Sequence, residues 1–424
     1  MPDFAFYPVG MIPRILLLPA AGLLLAATVP APPDHAGDPP RSFFESRDFV
    51  EYWSAARVMA AGGDPYDATQ LLPVQRVATG HPDLTEVVSL WTPPWTLPVY
   101  RPFGFEPFAV ARYVWLALQL LLIAVSVELL WRTYGGSPGR VAWLPQLLAV
   151  GFAPVFWTLF FGQNTGILLV GLAGFLYFRT RERPYLAGGF AALTALKPHV
   201  LAVFGVVLVL DALTKAGRKT LLIGVAVVAA GAVAAVALDP DIFTKFVTAL
   251  KKPRTPEAIP LSDWQVPLLS YQFRLAVDAG AFWVQFVPCL LGCAAALPYY
   301  WLRRRAWDWR TELPRLVLAS AVLAPYGGWM FDLTVLLVPV VAAGAWVAKC
   351  DIGQARMGFA AGFVLLFLGG IRLQKLHDFL WFAPAVALLW VVLEWVRMTA
   401  TAGPNAEPAG GIRVSLSPSV PARP

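Results

Sequence analysis

Charged residues are scarce in this sequence. Only 14% of its 424 residues are Asp, Glu, Lys or Arg, whereas a soluble globular domain carries roughly 25%. The mean hydropathy is +0.62 and the chain holds 17 Trp residues, so lipid is the main solvent expected for it. This composition excludes a soluble globular protein and predicts an integral membrane protein.

Cysteine, histidine and cofactor motifs are scarce as well. The three cysteines and four histidines form no Cys-x-x-Cys pair and no His-Glu-x-x-His motif, and we expect the cysteines to be small packing residues. The chain has no Walker-type phosphate loop and no Gly-x-Gly-x-x-Gly sequence. The sequence therefore predicts neither a metal site nor a bound cofactor.

Long apolar runs recur along the chain. Most approach the ~20 residues that a helix needs to cross the hydrocarbon core. They lie near residues 12, 108, 143, 164, 185, 199, 220, 283, 312, 332, 357 and 379. We therefore predict an all-α polytopic membrane protein of about twelve transmembrane helices, with the bundle over 108–397. The polar, Pro-rich tail at 398–424 is predicted to be cytoplasmic and disordered.

The basic residues orient this bundle, because cytoplasmic loops hold an excess of Lys and Arg. With residues 1–11 in the cytoplasm, the clusters RTRER (179–183) and KAGRK (215–219) both lie inside. The apolar stretch between them is interrupted at Lys197-Pro198, so it is predicted to cross twice, with Lys197 at an outer turn. The net charge of +7 is then an orientation signal that needs no nucleic-acid partner.

Two long segments fall on the outer side of this topology, at 30–107 and 239–282. The first follows a predicted transmembrane helix at 12–29, which could instead be a cleaved signal peptide. After a Pro-rich linker we expect an amphipathic helix from an N-cap at Ser46 to about Ala61, stopped by a Gly pair and suited to the membrane surface.

Four groups of polar residues are predicted to converge near the outer surface. An outer segment of ~75 residues is longer than an ordinary connection, so we expect it to build a site. A carboxylate beside an apolar run is costly in a membrane and tends to mark function. The groups are Asp48 with Glu51, Tyr52 and Trp53; Gln163 with Asn164; Lys197 with His199; and Asp332.

Each group also has an interpretation without function. Asp48 could favour its helix N terminus through the helix dipole, and Gln163-Asn164 could be a turn pair. Lys197 could extend to the lipid headgroups, and His199 could be a packing residue. The sequence alone leaves these alternatives open.

Taken in order, four motifs resemble glycosyltransferase family 87. They are DFVEYWSAARVMAAGGDPYD (48–67), GQN (162–164), LKP (196–198) and PYGGWMFDLTVLL (325–337). The similarity runs through most of 12–397. The members of this family are polytopic enzymes of the GT-C class that use a polyprenyl-phosphate sugar, typically mannose. The resemblance therefore implies a GT-C-like bundle with a small extracytoplasmic cap of amphipathic helices.

The resemblance also implies roles for individual residues. Asp48 would be the general base that takes the proton of the acceptor hydroxyl, with inversion at the anomeric carbon. Lys197, with Arg274 as the second choice, would meet the charge that develops on the leaving lipid phosphate. Asp332 would assist Asp48 or orient the acceptor. The remaining substrate contacts are predicted at Tyr52, Trp53, Asp64, Tyr66, Gln163, Asn164 and His199.

The resulting prediction is a glycosyltransferase of the cell membrane with its active site on the extracytoplasmic side. It would move a hexose such as mannose from a polyprenyl-phosphate donor to a lipid or glycan hydroxyl. The main alternative is a polytopic transporter or flippase for lipid-linked sugars, which would need matching interrupted spans in two halves. A ligase that uses a diphosphate-linked oligosaccharide is a further alternative. The sugar, the acceptor and the oligomeric state are left open.

Overall fold

The described part of the chain is predominantly helical. The computed structural model describes residues 30–31, 41–42, 48–136, 142–251, 266, 268–373 and 379–401. Two short strands, β1 (Pro30–Ala31) and β2 (Arg41–Ser42), pair antiparallel with Pro30 opposite Ser42. The predicted helix at 12–29, the cap at Ser46 and the tail after 401 lie outside the described residues.

Helices make up most of the described residues. In chain order the α-helices of the described ranges are α1 (Phe49–Ala60), α2 (Ala68–Thr79), α3 (Leu97–Tyr100), α4 (Phe108–Thr133), α5 (Leu144–Val150), α6 (Ala153–Phe161), α7 (Thr165–Arg179), α8 (Pro184–Ala192), α9 (Ala202–Asp211), α10 (Lys215–Leu238), α11 (Ile242–Lys251), α12 (Leu269–Val277), α13 (Val287–Arg303), α14 (Trp309–Val322), α15 (Leu337–Val347), α16 (Gly353–Arg372) and α17 (Phe382–Thr401). The 3-10 helices are Pro94–Thr96, Arg101–Phe105, Leu193–Leu196, Pro198–Leu201, Phe282–Phe286, Arg304–Ala306 and Asp332–Leu336.

Several of these helices are long and apolar enough to cross a membrane. Within the described ranges five qualify by length and composition, namely α4, α10, the segment Phe282–Ala306 around α13, α16 and α17. Two bent pairs, α5 with α6 and α8 with α9, raise the number to seven if each pair is one span. The structure thus supports a helical membrane protein, whereas the predicted twelve spans and the outer cap are not confirmed.

The helices differ in how deeply they are buried. All of α15 except Trp346 is buried, as is α7 from Thr165 to Leu176, which is expected of helices that are apolar on every side. Close packing uses glycine, since a Cβ at Gly174 would lie 2.2 Å from the ring of Phe190 on α8. By contrast, only 6% of the apolar window of α10 is buried, so most of this helix is exposed on the outside of the bundle.

The first long helix of the outer segment is buried rather than laid on a surface. In α1 only Arg57 and Ala60 are exposed, so the prediction of a surface helix with a single apolar face is wrong. The cause is contact with the 3-10 turn at 101–105, where a Cβ at Gly104 would lie 2.6 Å from the backbone of Ala56. The predicted stop is confirmed, since the helix ends before Gly62, whose φ is +80°.

A sharp break at Lys197 shapes the middle of the bundle. The helical segments Pro184–Leu196 and Pro198–Asp211 meet there at a bend of 117°. Proline disfavours helical backbone in the residue before it, and Lys197 has φ −135° and ψ 70°. The predicted interruption is therefore present, and it leaves the Lys197 side chain at the apex of a helical hairpin.

Candidate active site

The N terminus of α1 packs against the turn between α6 and α7. The backbone N–H of Asp48 donates to Phe161 O at 2.9 Å. The turn begins at Gly162, whose φ of +71° lies in the left-handed region that glycine adopts at low cost. The carbonyl of Gly162 accepts from Trp115 Nε1 at 2.7 Å. The turn is thereby fixed between α1 and α4, and Gln163 faces α1.

The Gln163 side chain is the centre of the site. Its Nε2 donates to Asp48 Oδ2 at 2.7 Å, and its Oε1 accepts from Tyr52 Oη and Lys197 Nζ, each at 3.0 Å. An amide oxygen offers two lone pairs and the amide nitrogen two protons. One buried side chain therefore holds a carboxylate at one end and an ammonium at the other.

The Asp48 carboxylate is directed to this amide and does not cap its helix. Asp48 occupies the N-cap position of α1, but its side chain makes no capping hydrogen bond and its backbone is helical, with φ −81° and ψ −19°. The structure thus places Asp48 at the N-cap position of α1, whereas the predicted cap, Ser46, lies outside the described residues.

Lys197 is bound by a second carboxylate from a distant part of the chain. Its Nζ lies 2.7 Å from Asp332 Oδ1, and both side chains are largely buried, with 12% and 2% exposed. The other oxygen, Asp332 Oδ2, accepts from Trp329 N at 3.1 Å, and Thr165 Oγ1 lies 3.5 Å from Oδ1. A buried ion pair needs such extra hydrogen bonds to offset its desolvation. Asp332 thus fixes the position of the ammonium beside Gln163.

Asn164 is fully buried behind Gln163. Its Nδ2 donates to Tyr100 Oη at 2.9 Å, and the Tyr100 ring stacks on Tyr52 with centroids 4.6 Å apart. Among the described residues its Oδ1 has no hydrogen-bond partner. Asn164 therefore supports the aromatic wall of the site, and its free oxygen is a candidate contact for a bound hydroxyl.

His199 lies next to the Lys197–Asp332 pair. Its ring stacks on Tyr326 with centroids 4.2 Å apart. A Cβ at Gly327 would lie 2.6 Å from His199 Nε2, and both Gly327 and Gly328 have positive φ. The glycine pair lets the loop before Asp332 pass close to this imidazole.

Glu51 belongs to the same electrostatic environment. Only 8% of this residue is exposed. Burial, with a smaller contribution from the neighbouring Asp48, raises the pKa of Glu51 to about 8. Burial and the nearby Glu51 likewise raise the pKa of Tyr52 well above its ordinary value. This corner of the site thus favours uncharged groups.

Three predicted site residues of the outer segment lie in other contacts. Trp53 Nε1 donates to Glu106 O at 2.9 Å. Asp64 Oδ1 accepts from Tyr66 N at 2.9 Å, and Tyr66 Oη donates to Thr92 O at 3.1 Å. These bonds hold the segment in shape. Arg274, the second predicted cation, donates from Nε to Ala279 O at 2.9 Å within the segment 239–282, which was predicted to lie outside.

Some residues of the site were not predicted as site residues. Tyr100 stands in the aromatic, Pro-rich segment 90–104, where its ring gives no signal beyond headgroup contact. Thr165 was missed because its contact with Asp332 spans 167 positions in the sequence, whereas the Trp329 N–H lies only three residues before Asp332 and carries no side-chain signal. Glu51 was included among the polar residues without a role.

The sequence Asp239-Pro240-Asp241 matches an Asp-x-Asp pattern that can hold a metal. In the structure Asp239 Oδ2 pairs with Lys245 Nζ at 2.6 Å, and Asp239 Oδ1 accepts from the Asp241 N–H. Among the described residues no group of three or more His, Cys, Asp and Glu side chains is arranged to hold a metal ion. In this structure the partner of the Asp239 carboxylate is therefore the Lys245 ammonium.

Comparison with known families and structures gives one match. The family model described as Glycosyltransferase family 87 matches residues 91–331. The matched range includes Gln163, Asn164 and Lys197, whereas Asp332 lies one residue beyond it and Asp48 lies 43 residues before it. A search of the curated proteins and of the solved structures finds no match to the chain.

Proposed function

Because the chain belongs to glycosyltransferase family 87 and is therefore a membrane glycosyltransferase, we propose that it uses a polyprenyl-phosphate sugar. The sugar is a hexose such as mannose, and the acceptor is a hydroxyl of a lipid or glycan on the outer face of the cell membrane. The transfer inverts the anomeric configuration. Family membership favours this activity over transport of lipid-linked sugars.

A single observation carries this proposal, namely that Asp48 and Lys197 bind opposite ends of the Gln163 amide. An in-line displacement needs a base on the side where the acceptor arrives and a cation on the side where the phosphate leaves. Because both groups are held at fixed positions before the substrates bind, the activation barrier of the transfer is lower. The Gln163 amide, a single planar group, therefore holds the base and the cation at a fixed separation.

The chemical step follows from these positions. Asp48 accepts the proton of the acceptor hydroxyl, and the oxygen forms a bond to the anomeric carbon. The bond between that carbon and the phosphate oxygen breaks, and its electron pair remains on the lipid phosphate. Lys197, oriented by Asp332, stabilises the added negative charge. Gln163 is placed to hydrogen-bond the sugar hydroxyls, and Tyr52 and Asn164 support it from behind.

The experiment that tests the proposal uses the purified protein in lipid vesicles with radiolabelled polyprenyl-phosphate mannose and a membrane lipid extract. We expect a labelled product whose mannosyl linkage has the configuration opposite to that of the donor. A product that retains the configuration would refute the single-displacement mechanism. Transfer only from donors with another sugar, such as a pentose, would refute mannose as the substrate while keeping the donor class.

An apolar cavity supports a lipid-linked donor. It has a volume of about 410 Å³ and lies between α14, the loop before Asp332 and the start of α17. Its lining includes Leu268, Gly328, Leu333 and Ala383. Gly328 and Leu333 of this lining belong to the segment that carries Asp332, the partner of Lys197. An isoprenoid chain in this cavity would have its phosphate near the ammonium.

Substituting Ala383→Trp is expected to fill this cavity and raise the KM for a long-chain donor. Excluding a few methylenes at ~0.8 kcal/mol each corresponds to about tenfold or more. A donor with a short lipid should show a nearly unchanged KM. The control is Leu388→Trp, since Leu388 on the same helix is 66% exposed. Equal losses for long and short donors would exclude the cavity as the lipid site.

A further inference from the structure

The loop before Asp332 depends on contacts from other segments for its shape. Residues 324–329 have no regular secondary structure, and Gly327 and Gly328 have φ values of +64° and +67°. Glycine populates both signs of φ about equally, so these two positions do not hold one conformation by themselves. Pro325 is nevertheless buried, and a buried backbone carbonyl needs a hydrogen-bond partner.

Gln285 supplies that partner. This residue lies in the 3-10 helix Phe282–Phe286 and is fully buried. Its Nε2 donates to Pro325 O at 2.6 Å, and its Oε1 accepts from Arg274 Nη1, which lies 3.4 Å away. Arg274 belongs to α12. Gln285 thus joins α12 to the loop that leads to Asp332.

The two contacts of Gln285 require an amide group. A guanidinium can only donate hydrogen bonds, and a backbone carbonyl can only accept them. The side chain between Arg274 and Pro325 must therefore accept at one end and donate at the other, which a carboxylate or a hydrocarbon chain does not do. The same argument fixes the orientation of the amide, because exchanging its oxygen and nitrogen would set donor against donor.

The segment around the start of α12 holds the same loop through apolar contacts. Trp329 packs against a small buried cluster that consists of Val266, Leu268 and Tyr271. A Cβ at Gly328 would lie 2.8 Å from the Leu268 side chain, so the loop passes directly against this segment. The Trp329 N–H in turn donates to Asp332 Oδ2. The contacts from α12 and from Gln285 therefore reach the carboxylate that binds the ammonium of the site.

We propose that Gln285 is a positioning residue, which sets the place of the Lys197 ammonium through Pro325 and the loop to Asp332. Asp332 follows Pro325 by seven residues and binds the ammonium at 2.7 Å. The inference rests on the proposed function, in which this ammonium meets the charge of the leaving phosphate. Arg274 then acts through Gln285 and not as the second phosphate cation. A displaced ammonium stabilises the leaving phosphate less well, so loss of the bond to Pro325 should lower kcat.

The test compares Gln285→Glu with the wild type in the transfer assay. The new side chain has the same length and keeps an acceptor for Arg274, so the protein is expected to fold, but its carboxylate cannot donate to Pro325 O. We expect kcat to fall about tenfold with little change in KM. In the Lys197→Met background the same substitution should have no further effect, since it acts through Lys197. Losses in kcat that add in full would overturn the proposal.

Gln75→Glu is the matched control. Gln75 is also fully buried, and its amide binds both the carbonyl and the N–H of Val88. The substitution breaks a comparable buried contact that does not involve Lys197. Thermal unfolding measures its cost in stability. Its effect on kcat should be the same in the wild type and in the Lys197→Met background.

A second measurement does not depend on sugar transfer. The Lys197 side chain is 12% exposed, so its labelling by a small amine reagent, read by mass spectrometry, reports how firmly the loop holds it. We expect Gln285→Glu to raise this labelling severalfold, with Lys245 labelled equally in both proteins, and Gln75→Glu to leave it unchanged. Equal labelling of Lys197 in Gln285→Glu and the wild type would overturn the proposal. Raised labelling in a protein that transfers no sugar from this donor would support the role of Gln285 and contradict the proposed reaction.

Discussion

Asp48→Asn is expected to lower kcat by about 10²–10⁴-fold, the usual contribution of a general base. The asparagine oxygen can still accept from Gln163 Nε2, so the donor site should keep its shape and the KM should change little. Because the Asp48 side chain makes no capping bond, the helix start is also expected to remain. The measurement is initial-rate transfer of radiolabelled sugar by reconstituted protein.

The matched control for this prediction is Asp67→Asn. Asp67 caps α2, and its Oδ1 accepts from Thr69 N at 2.9 Å, a bond that asparagine also makes well. We expect this variant to transfer sugar at the wild-type rate. Wild-type activity in Asp48→Asn would remove Asp48 from the role of base and make Asp332 the next residue to test.

Lys197→Met is expected to have the second large effect, a loss in kcat of about 10²–10³-fold, as found when a donor to developing negative charge is removed. The substitution also leaves Asp332 buried without its ammonium, which costs about 3–5 kcal/mol of folding stability. Poor folding could therefore imitate a catalytic defect. Transfer rates need to be measured together with thermal unfolding.

The double variant Lys197→Met with Asp332→Leu distinguishes the two effects, because it removes both charges of the buried pair. We expect it to recover most of the lost stability and none of the activity. Lys245→Met is the control, since Lys245 pairs with Asp239 in the outer segment at 2.6 Å and should keep full activity. Recovery of transfer in the double variant would show that Lys197 has only a structural role.

The sequence indicated the main polar groups of the site but not their connections. Each of these groups contains a polar residue that stands beside an apolar run. The structure brings four of these residues together, namely Asp48, Gln163, Lys197 and Asp332. The hydrogen bonds of Gln163 could not be foreseen, because their partners Tyr52, Asp48 and Lys197 lie 111, 115 and 34 positions away in the chain. Periodicity and hydropathy carry no information at that range.

The errors on α1 and its aromatic residues have a common origin. Phe49, Trp53, Ala56 and Ala60 recur at helical spacing, which indicated one apolar face. Burial of the opposite face, including Val50 and Val58, comes from tertiary contacts that a periodic pattern does not record. An aromatic ring near a membrane surface packs as readily as it binds sugar, so Trp53 and Tyr66 could not be separated from Tyr52 by composition.

The helical hairpin with Lys197 at its apex has a consequence for the energy of substrate entry. Each arm contains about 13 helical residues and is roughly 20 Å long, shorter than the ~30 Å hydrocarbon core. In the proposed orientation the ammonium therefore sits below the outer headgroups, within the depth of the acyl chains. A donor can reach it by lateral diffusion, with its isoprenoid carbons remaining in the bilayer. Extraction into water, at ~0.8 kcal/mol for each exposed methylene, is never required.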